Sequence, residues 1–149
     1  MAMKTGENTL EKSEKVKLVM KEMIRSMIME ILEGERDEIL GYEKYDLEKS
    51  SKSKTARNGY FSKVVKSSYG DVEILIPRDR LGIYKPLLIK KYKKDISDFD
   101  NKLLVLFSKK KGEEDILECL RDLYKDRFAD EQLNRIKDRM IKVINKWRK

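Results

Sequence analysis

Arg57-Asn58-Gly59-Tyr60-Phe61-Ser62-Lys63-Val64-Val65-Lys66-Ser67-Ser68-Tyr69-Gly70-Asp71-Val72-Glu73-Ile74-Leu75-Ile76-Pro77-Arg78-Asp79-Arg80 is the stretch that decides the fold. Val64 and Val65 are β-branched, and Val72, Ile74 and Ile76 alternate with Glu73 and Leu75. Such residues suit a pleated, half-buried surface, so the stretch predicts a β-hairpin. Gly70 and Asp71 supply the turn, because Gly tolerates positive φ and Asp bonds its own backbone. Pro77 ends the second strand, since it cannot donate a ladder hydrogen bond. Arg57, Lys63, Lys66, Arg78 and Arg80 line its sides and ends with positive charge. A plain solvated hairpin and one that grips a polyanion both fit this pattern.

Upstream, apolar residues step by three and four through Val16, Val19, Met20, Met23, Ile24, Met27, Ile28, Ile31 and Leu32. That spacing predicts a helix from about Leu10 to Leu32, with Thr9 or Asn8 as its cap and Gly34 as its stop. Glu22, Arg25, Ser26 and Glu30 occupy the other side. The stripe is wide and rich in Met. Core packing accounts for it, and so does burial against another protomer, because Met adapts to irregular interfaces. A short helix to Leu40 and a turn at Gly41 follow. Residues 49–56 form a polar linker with three lysines, either solvated or in contact with phosphates.

Downstream, Gly82 to Pro86 is irregular. Lys90, Lys91, Lys93 and Lys94 then surround Tyr92. The group can grip a backbone and stack a base, or it is a solvated charged face. Three helices are predicted beyond it: Asp98 to Lys109 with Ser97 as cap, Glu113 to Tyr124, and Asp130 to about Trp147. Gly112 separates the first two, and a loop at Lys125 to Ala129 separates the last two. Short helices with tight turns outline a helix-turn-helix, and equally any three-helix packing unit. In the first reading the last helix is the reader. Gln132, Asn134, Arg135 and Arg139 near its start are then the residue types that pair with adenine and guanine. The fold class is α+β, mostly α, in three regions: residues 1–48, 49–96 and 97–149.

Composition narrows the chemistry. Of 149 residues 42% are charged, and the formal net charge of +8 favours a polyanionic partner, although many basic proteins have none. There is no histidine and one cysteine, Cys119. Ser-His-Asp and Cys-His nucleophile systems and Cys/His zinc sites are therefore excluded. Glycine loops of the Walker or dinucleotide type are absent. No metal or cofactor is expected. Cys119, among Ile116, Leu117 and Leu120, reads as a small core residue, and a lone cysteine points to a reducing compartment. No apolar run is long enough to span a membrane, and Met1 to Leu10 lacks a signal-peptide core, so a soluble cytoplasmic protein is expected.

The hairpin stretch also closely resembles the mutator-type transposases, the family typified by bacterial IS256-like elements. Members carry an Arg-Asn-Gly-Tyr run, a Ser-Tyr-Gly-Asp/Glu turn and an Ile-Pro-Arg-Asp-Arg run in this order. All three stand here, at Arg57 to Tyr60, Ser68 to Asp71 and Ile76 to Arg80. Leu32 to Glu35, Leu40 to Tyr45 and Ile89 to Tyr92 match further family runs, with Ile39 where the family often has histidine. In the last region Lys109, Asp115, Ile116, Leu120, Leu123, Tyr124, Arg135, Ile136 and Asp138 match. The turns depart: Lys110, Lys111 and Gly112 replace Gly-Met-Ser, Lys125 replaces a Gly, and Ala129-Asp130 replaces Ser-Pro.

This resemblance implies the DNA-binding N-terminal portion of a transposase, which holds double-stranded DNA at the terminal repeats of its element in the bacterial nucleoid. Arg57, Lys63, Lys66, Arg78, Arg80, Lys90, Lys91, Lys93 and Lys94 would contact phosphates, and Gln132, Asn134, Arg135 and Arg139 would read bases. Family members continue into a ribonuclease-H-like domain whose three acids bind two metal ions. This chain ends at Lys149, so it is expected to be truncated before that domain and not to cut DNA alone. The alternative is a regulatory or dimerisation fragment that pairs with itself or with a full-length transposase through the Leu10 to Leu32 helix.

Overall fold

A computed structural model describes residues 2–41, 57–79, 84–107 and 112–148. The lysine linker predicted at 49–56 lies outside them, as do residues 80–83, which include the start of the stretch predicted to be irregular. The fold is α+β and mostly helical. Helix α1 (Ala2–Leu40) precedes a hairpin of β1 (Arg57–Ser67) and β2 (Gly70–Asp79). Helices α2 (Leu87–Tyr92), α3 (Ser97–Leu106) and α4 (Glu113–Tyr124) follow, and a 3-10 turn (Lys125–Arg127) leads into α5 (Asp130–Arg148).

The strands pair antiparallel, with Val65 opposite Val72 and Lys63 opposite Ile74. Val65, Val72, Ile74 and Ile76 form the buried face that lies on α1. The turn differs from the predicted one. Ser67 pairs with Gly70, so Ser68 and Tyr69 make the two-residue loop. Hydroxyls close it: Ser67 Oγ donates to the Gly70 carbonyl at 2.7 Å and accepts the Tyr69 N–H at 3.1 Å. Ser68 donates its N–H and hydroxyl to the buried carboxylate of Asp100 on α3, at 2.6 and 2.9 Å. Gly70, at φ 115°, opens β2 instead of turning it. Pro77 does not end β2 either; it pairs with Tyr60 and the strand continues to Asp79. In a two-stranded sheet its missing N–H faces an open edge, where no ladder bond is lost.

Gly34 does not stop α1. One helix of 39 residues replaces the two predicted ones. A Cβ on Gly34 would lie 3.1 Å from Ile136 Cγ1 and 3.3 Å from Arg139 Cδ, so this glycine lets α5 cross α1 closely. The stop lies at Gly41, at φ 78°, whose N–H donates to the Asp37 carbonyl at 2.9 Å. The stripe on α1 divides in two. Ile24, Met27, Ile28, Ile31 and Leu32 are fully buried, whereas Val16 and Val19 are 52% and 47% exposed.

α4 has the predicted bounds, and α5 runs one residue past them. α3 starts at Ser97, with Ile96 in the cap position, and Asp95 Oδ1 accepts the Ser97 N–H at 2.9 Å. At the start of α5, Gln132 Oε1 accepts the Ala129 N–H at 2.8 Å, which is one half of a capping box. Lys125, the first residue of the 3-10 turn after α4, has φ 51°, a backbone region that favours glycine. Leu88, Phe99, Leu103, Leu120, Leu133, Ile136 and Met140 join α1 and the hairpin in one core.

Glu35 ties this core together. Its side chain is fully buried. Oε1 accepts the Tyr84 hydroxyl at 3.0 Å and the Leu87 N–H at 2.9 Å. Oε2 accepts the Leu88 N–H at 3.0 Å and the Tyr124 hydroxyl at 2.5 Å. One carboxyl on α1 therefore caps α2 and anchors the end of α4. Burial pushes its pKa above the ordinary 4.5, and the four donors only partly restrain it. Burial beside this carboxyl also raises Tyr84 and Tyr124, so both phenols stay protonated donors.

Candidate nucleic-acid interface

The Lys90 to Lys94 segment is held in place by its backbone. Pro86 precedes α2 and accepts the Lys90 N–H at 3.1 Å. The Lys93 N–H returns to the Ile89 carbonyl at 2.6 Å, and Lys93 adopts φ 57° to close the helix. The chain then docks on β1. Lys66 N–H donates to the Lys94 carbonyl at 2.6 Å, and Ile96 N–H donates to the Lys66 carbonyl at 2.8 Å, a parallel bridge between Lys66 and Asp95. Lysines far apart in sequence are thereby neighbours: Lys66 lies beside Lys94, with Lys90 and Lys93 one turn away, all four exposed.

Two acids temper the cluster. Asp71 faces Lys66 across the ladder. Asp95 is exposed, and hydrogen bonds from Ser97, aided by the Lys66 charge, lower its pKa below the ordinary 3.8. Lys91 leans away from the cluster. Its ammonium donates to the Asp122 carbonyl at 3.3 Å and stands 5.7 Å from the Tyr92 ring centre. Tyr92 is not an open stacking platform, because its ring packs on Phe99 with centres 5.2 Å apart. Lys63 is half-buried on the face of the hairpin that carries Val65, and Arg78 is exposed near the end of β2. Arg80 and the Arg57 side chain lie outside the described residues.

The four residues predicted to read bases are engaged within the fold. Gln132 caps its own helix. Asn134 donates to the Asp130 carbonyl at 3.0 Å and accepts from the Lys137 ammonium at 3.1 Å. Arg135 forks onto Glu38 of α1 at 2.8 and 2.7 Å. Arg139 donates to Glu30 at 2.9 Å and to Asp37, both also on α1. Burial works against the Arg139 charge, yet these carboxylates hold its pKa above the ordinary value. α5 is thus latched along α1 by two arginines on three acids, beside the close approach at Gly34.

Residues that sequence reasoning passed over complete the picture. Lys142 and Lys146 lie exposed on the solvent side of α5. Glu35, Tyr84 and Tyr124 form the buried junction. The signal for Glu35 was present, since it falls on the stripe of Ile28, Ile31 and Leu32 at helical spacing. No helix among the described residues is long and apolar enough to cross a membrane.

The profile of a family described as "Transposase, Mutator family" matches residues 2–149. The transposase for insertion sequence element IS1201 of Lactobacillus helveticus is 24% identical over 136 residues, which is 91% of this chain and 37% of that protein. A probable transposase for an ISRM3-like element of Sinorhizobium fredii is 29% identical over 118 residues, 78% of this chain and 28% of its own length. The transposase for IS256 in transposon Tn4001 of Staphylococcus aureus is 18% identical over 129 residues, 87% of this chain and 33% of its own. The chain spans about a third of the length of these curated relatives.

Proposed function

The chain belongs to the mutator family of transposases, and on that premise we propose that it is a DNA-binding portion of such an enzyme, holding the ends of its element. The observation that carries the reading is the meeting of Lys66 with Lys90, Lys93 and Lys94 through the Lys66–Asp95 bridge. Exposed lysines gathered by backbone contacts, on a chain of net charge +8, suit a phosphate backbone. Lys63, and Arg78 by strand alternation, lie on the opposite face of the hairpin from Lys66, so they would contact a separate stretch of backbone, as would Arg57 and Arg80 at the ends of the strands.

In this proposal phosphate contact supplies most of the affinity and α5 supplies less than a free reading helix would. Arg135 and Arg139 must leave Glu38, Glu30 and Asp37 before they can reach a base. Gln132 and Asn134 need only exchange local bonds, so they are the residues of α5 assigned to base edges.

The test is fluorescence anisotropy on a terminal-repeat duplex and a scrambled duplex at two salt concentrations. The triple charge reversal Lys66→Glu, Lys93→Glu, Lys94→Glu should weaken binding to both duplexes by about a hundredfold or more and flatten the salt dependence. Unchanged affinity in that variant would overturn the assignment. Equal binding of both duplexes by the parent chain would remove the base-reading role from Gln132 and Asn134.

The exposed apolar residues of α1 favour a second reading beside DNA contact, self-association of the chain through that helix.

A further inference from the structure

The hairpin stops supporting α1 near Lys21. The Lys21 side chain lies against Gly70, and Arg25 Nε donates to the Glu73 carbonyl at 2.9 Å. The helix continues N-terminally past this point. Val16, Leu18 and Val19 are 52%, 61% and 47% exposed there. At 3.6 residues per turn Val16, Val19, Met20 and Met23 share one face, whereas Leu18 points the other way. Lys15 and Lys17 stand on its two edges, Lys12 continues the face toward the N-terminus, Glu22 shares the Lys15 edge, and Glu14 lies behind it. The projecting half of α1 is thus an apolar ridge about 11 Å long whose surrounding charges, three lysines against Glu22, are net positive.

Elsewhere the fold offers the complementary shape. A groove of about 380 Å³ runs between α3 and α4. Val105, Leu106 and Cys119 form its apolar floor, and Asp115, Glu118 and Asp122 form the α4 wall. Lys102 on the α3 wall leaves the rim net negative. Val105 is itself 49% exposed. Cys119 is largely desolvated, which raises its thiol pKa and keeps the floor uncharged.

The ridge cannot enter the groove of its own chain. α1 is one continuous helix whose C-terminal half is fixed in the core by Ile24 to Leu32 and by Glu35. We propose that the Val16 face of α1 in one copy of this chain seats in the α3–α4 groove of a second copy. The proposal rests on the self-association reading and makes it specific: ridge meets groove, with lysines against acids. Two such contacts can form reciprocally about a twofold axis, each copy giving a helix and receiving one.

Sedimentation-velocity centrifugation of the 149-residue chain without DNA tests this, with circular dichroism as the check on folding. Val16→Glu/Val19→Glu alters only the ridge, and Glu118→Lys only the groove wall; all three positions are exposed. Each variant should weaken association by at least about tenfold. Mixing the two should restore a heterodimer, because one ridge and one groove remain intact between them. Val19→Ser, a milder change, should weaken association in the same direction. A parent chain that stays monomeric through the high micromolar range overturns the proposal. So does a Glu118→Lys variant that associates like the parent, since ridge would then pair with ridge. Neither result touches the lysine row, which the anisotropy titration judges separately.

Discussion

Replacing Glu35 by Ala should destabilise the fold more than any other single change to an acidic residue on α1. The carboxyl accepts four hydrogen bonds in a site with no solvent exposure. Tyr84 keeps a second acceptor, the Leu32 carbonyl at 3.2 Å. The Leu87 and Leu88 N–H groups and the Tyr124 hydroxyl lose the acceptor described above. Each buried donor left unsatisfied costs about 1–3 kcal/mol, and relief of carboxyl desolvation returns part of the sum, which leaves about 3–5 kcal/mol. That is a large share of the total stability of an ordinary domain. Urea unfolding followed by far-ultraviolet circular dichroism reads it as a lower midpoint with an unchanged slope. Glu14→Ala is the control, because Glu14 and its partner Lys17 are both exposed, at 71% and 52%, and such a pair is worth under about 1 kcal/mol. A double-mutant cycle with Tyr124→Phe should give a coupling of about 1–2 kcal/mol. A loss below about 1 kcal/mol for Glu35→Ala, or no coupling to Tyr124, would refute the view of Glu35 as the common anchor of α2 and α4.

Four further outcomes are expected. Gly34→Leu should cost about 2 kcal/mol and lower Tm, because its side chain must displace Ile136 and Arg139 from α1. Lys125→Gly should stabilise by about 0.5–1 kcal/mol in the same urea assay, since glycine removes the penalty of φ 51°. The stability difference between parent and Glu35→Gln should depend on pH. The folded pKa of Glu35 is raised, so its titration favours the fold most below 4.5 and that advantage fades as pH rises above it. Asp95→Asn should show the opposite trend against the parent, because a lowered folded pKa stabilises above 3.8 and is lost as pH falls.

The helices near the C-terminus were legible because their punctuation is local. Glu113, Glu114 and Asp115 favour the start of α4, Gly112 precedes it, and the apolar residues keep one period to Tyr124. Gly34 misled because a glycine in a helical pattern has two meanings, stop and close approach. Only the position of Ile136, about a hundred residues away, decides between them. The hairpin turn misled for a related reason. Gly70 and Asp71 have the usual turn chemistry, but Asp100 on α3 takes the Ser68 N–H and hydroxyl and moves the loop by two residues. On α5 the residue types that suit base edges also suit carboxylates. Sequence spacing could not show that Glu30, Asp37 and Glu38 would stand opposite Arg135 and Arg139. The lysines of the candidate interface were named individually from the sequence. Their assembly depends on a bridge between residues 66 and 95, which no local pattern encodes.

A sheet of two strands ordinarily leaves two unpaired backbone edges, each a template on which a foreign strand can grow. Here the outer edge of β1 is occupied at Lys66 by the segment from Lys94 to Ile96. On β2 the Arg25 side chain takes the Glu73 carbonyl, and Pro77 has no N–H to offer. The same lysine bridge that gathers positive charge therefore also shields the hairpin from strand-by-strand polymerisation. A chain protected in this way can be brought to high local concentration without its β-structure seeding aggregates.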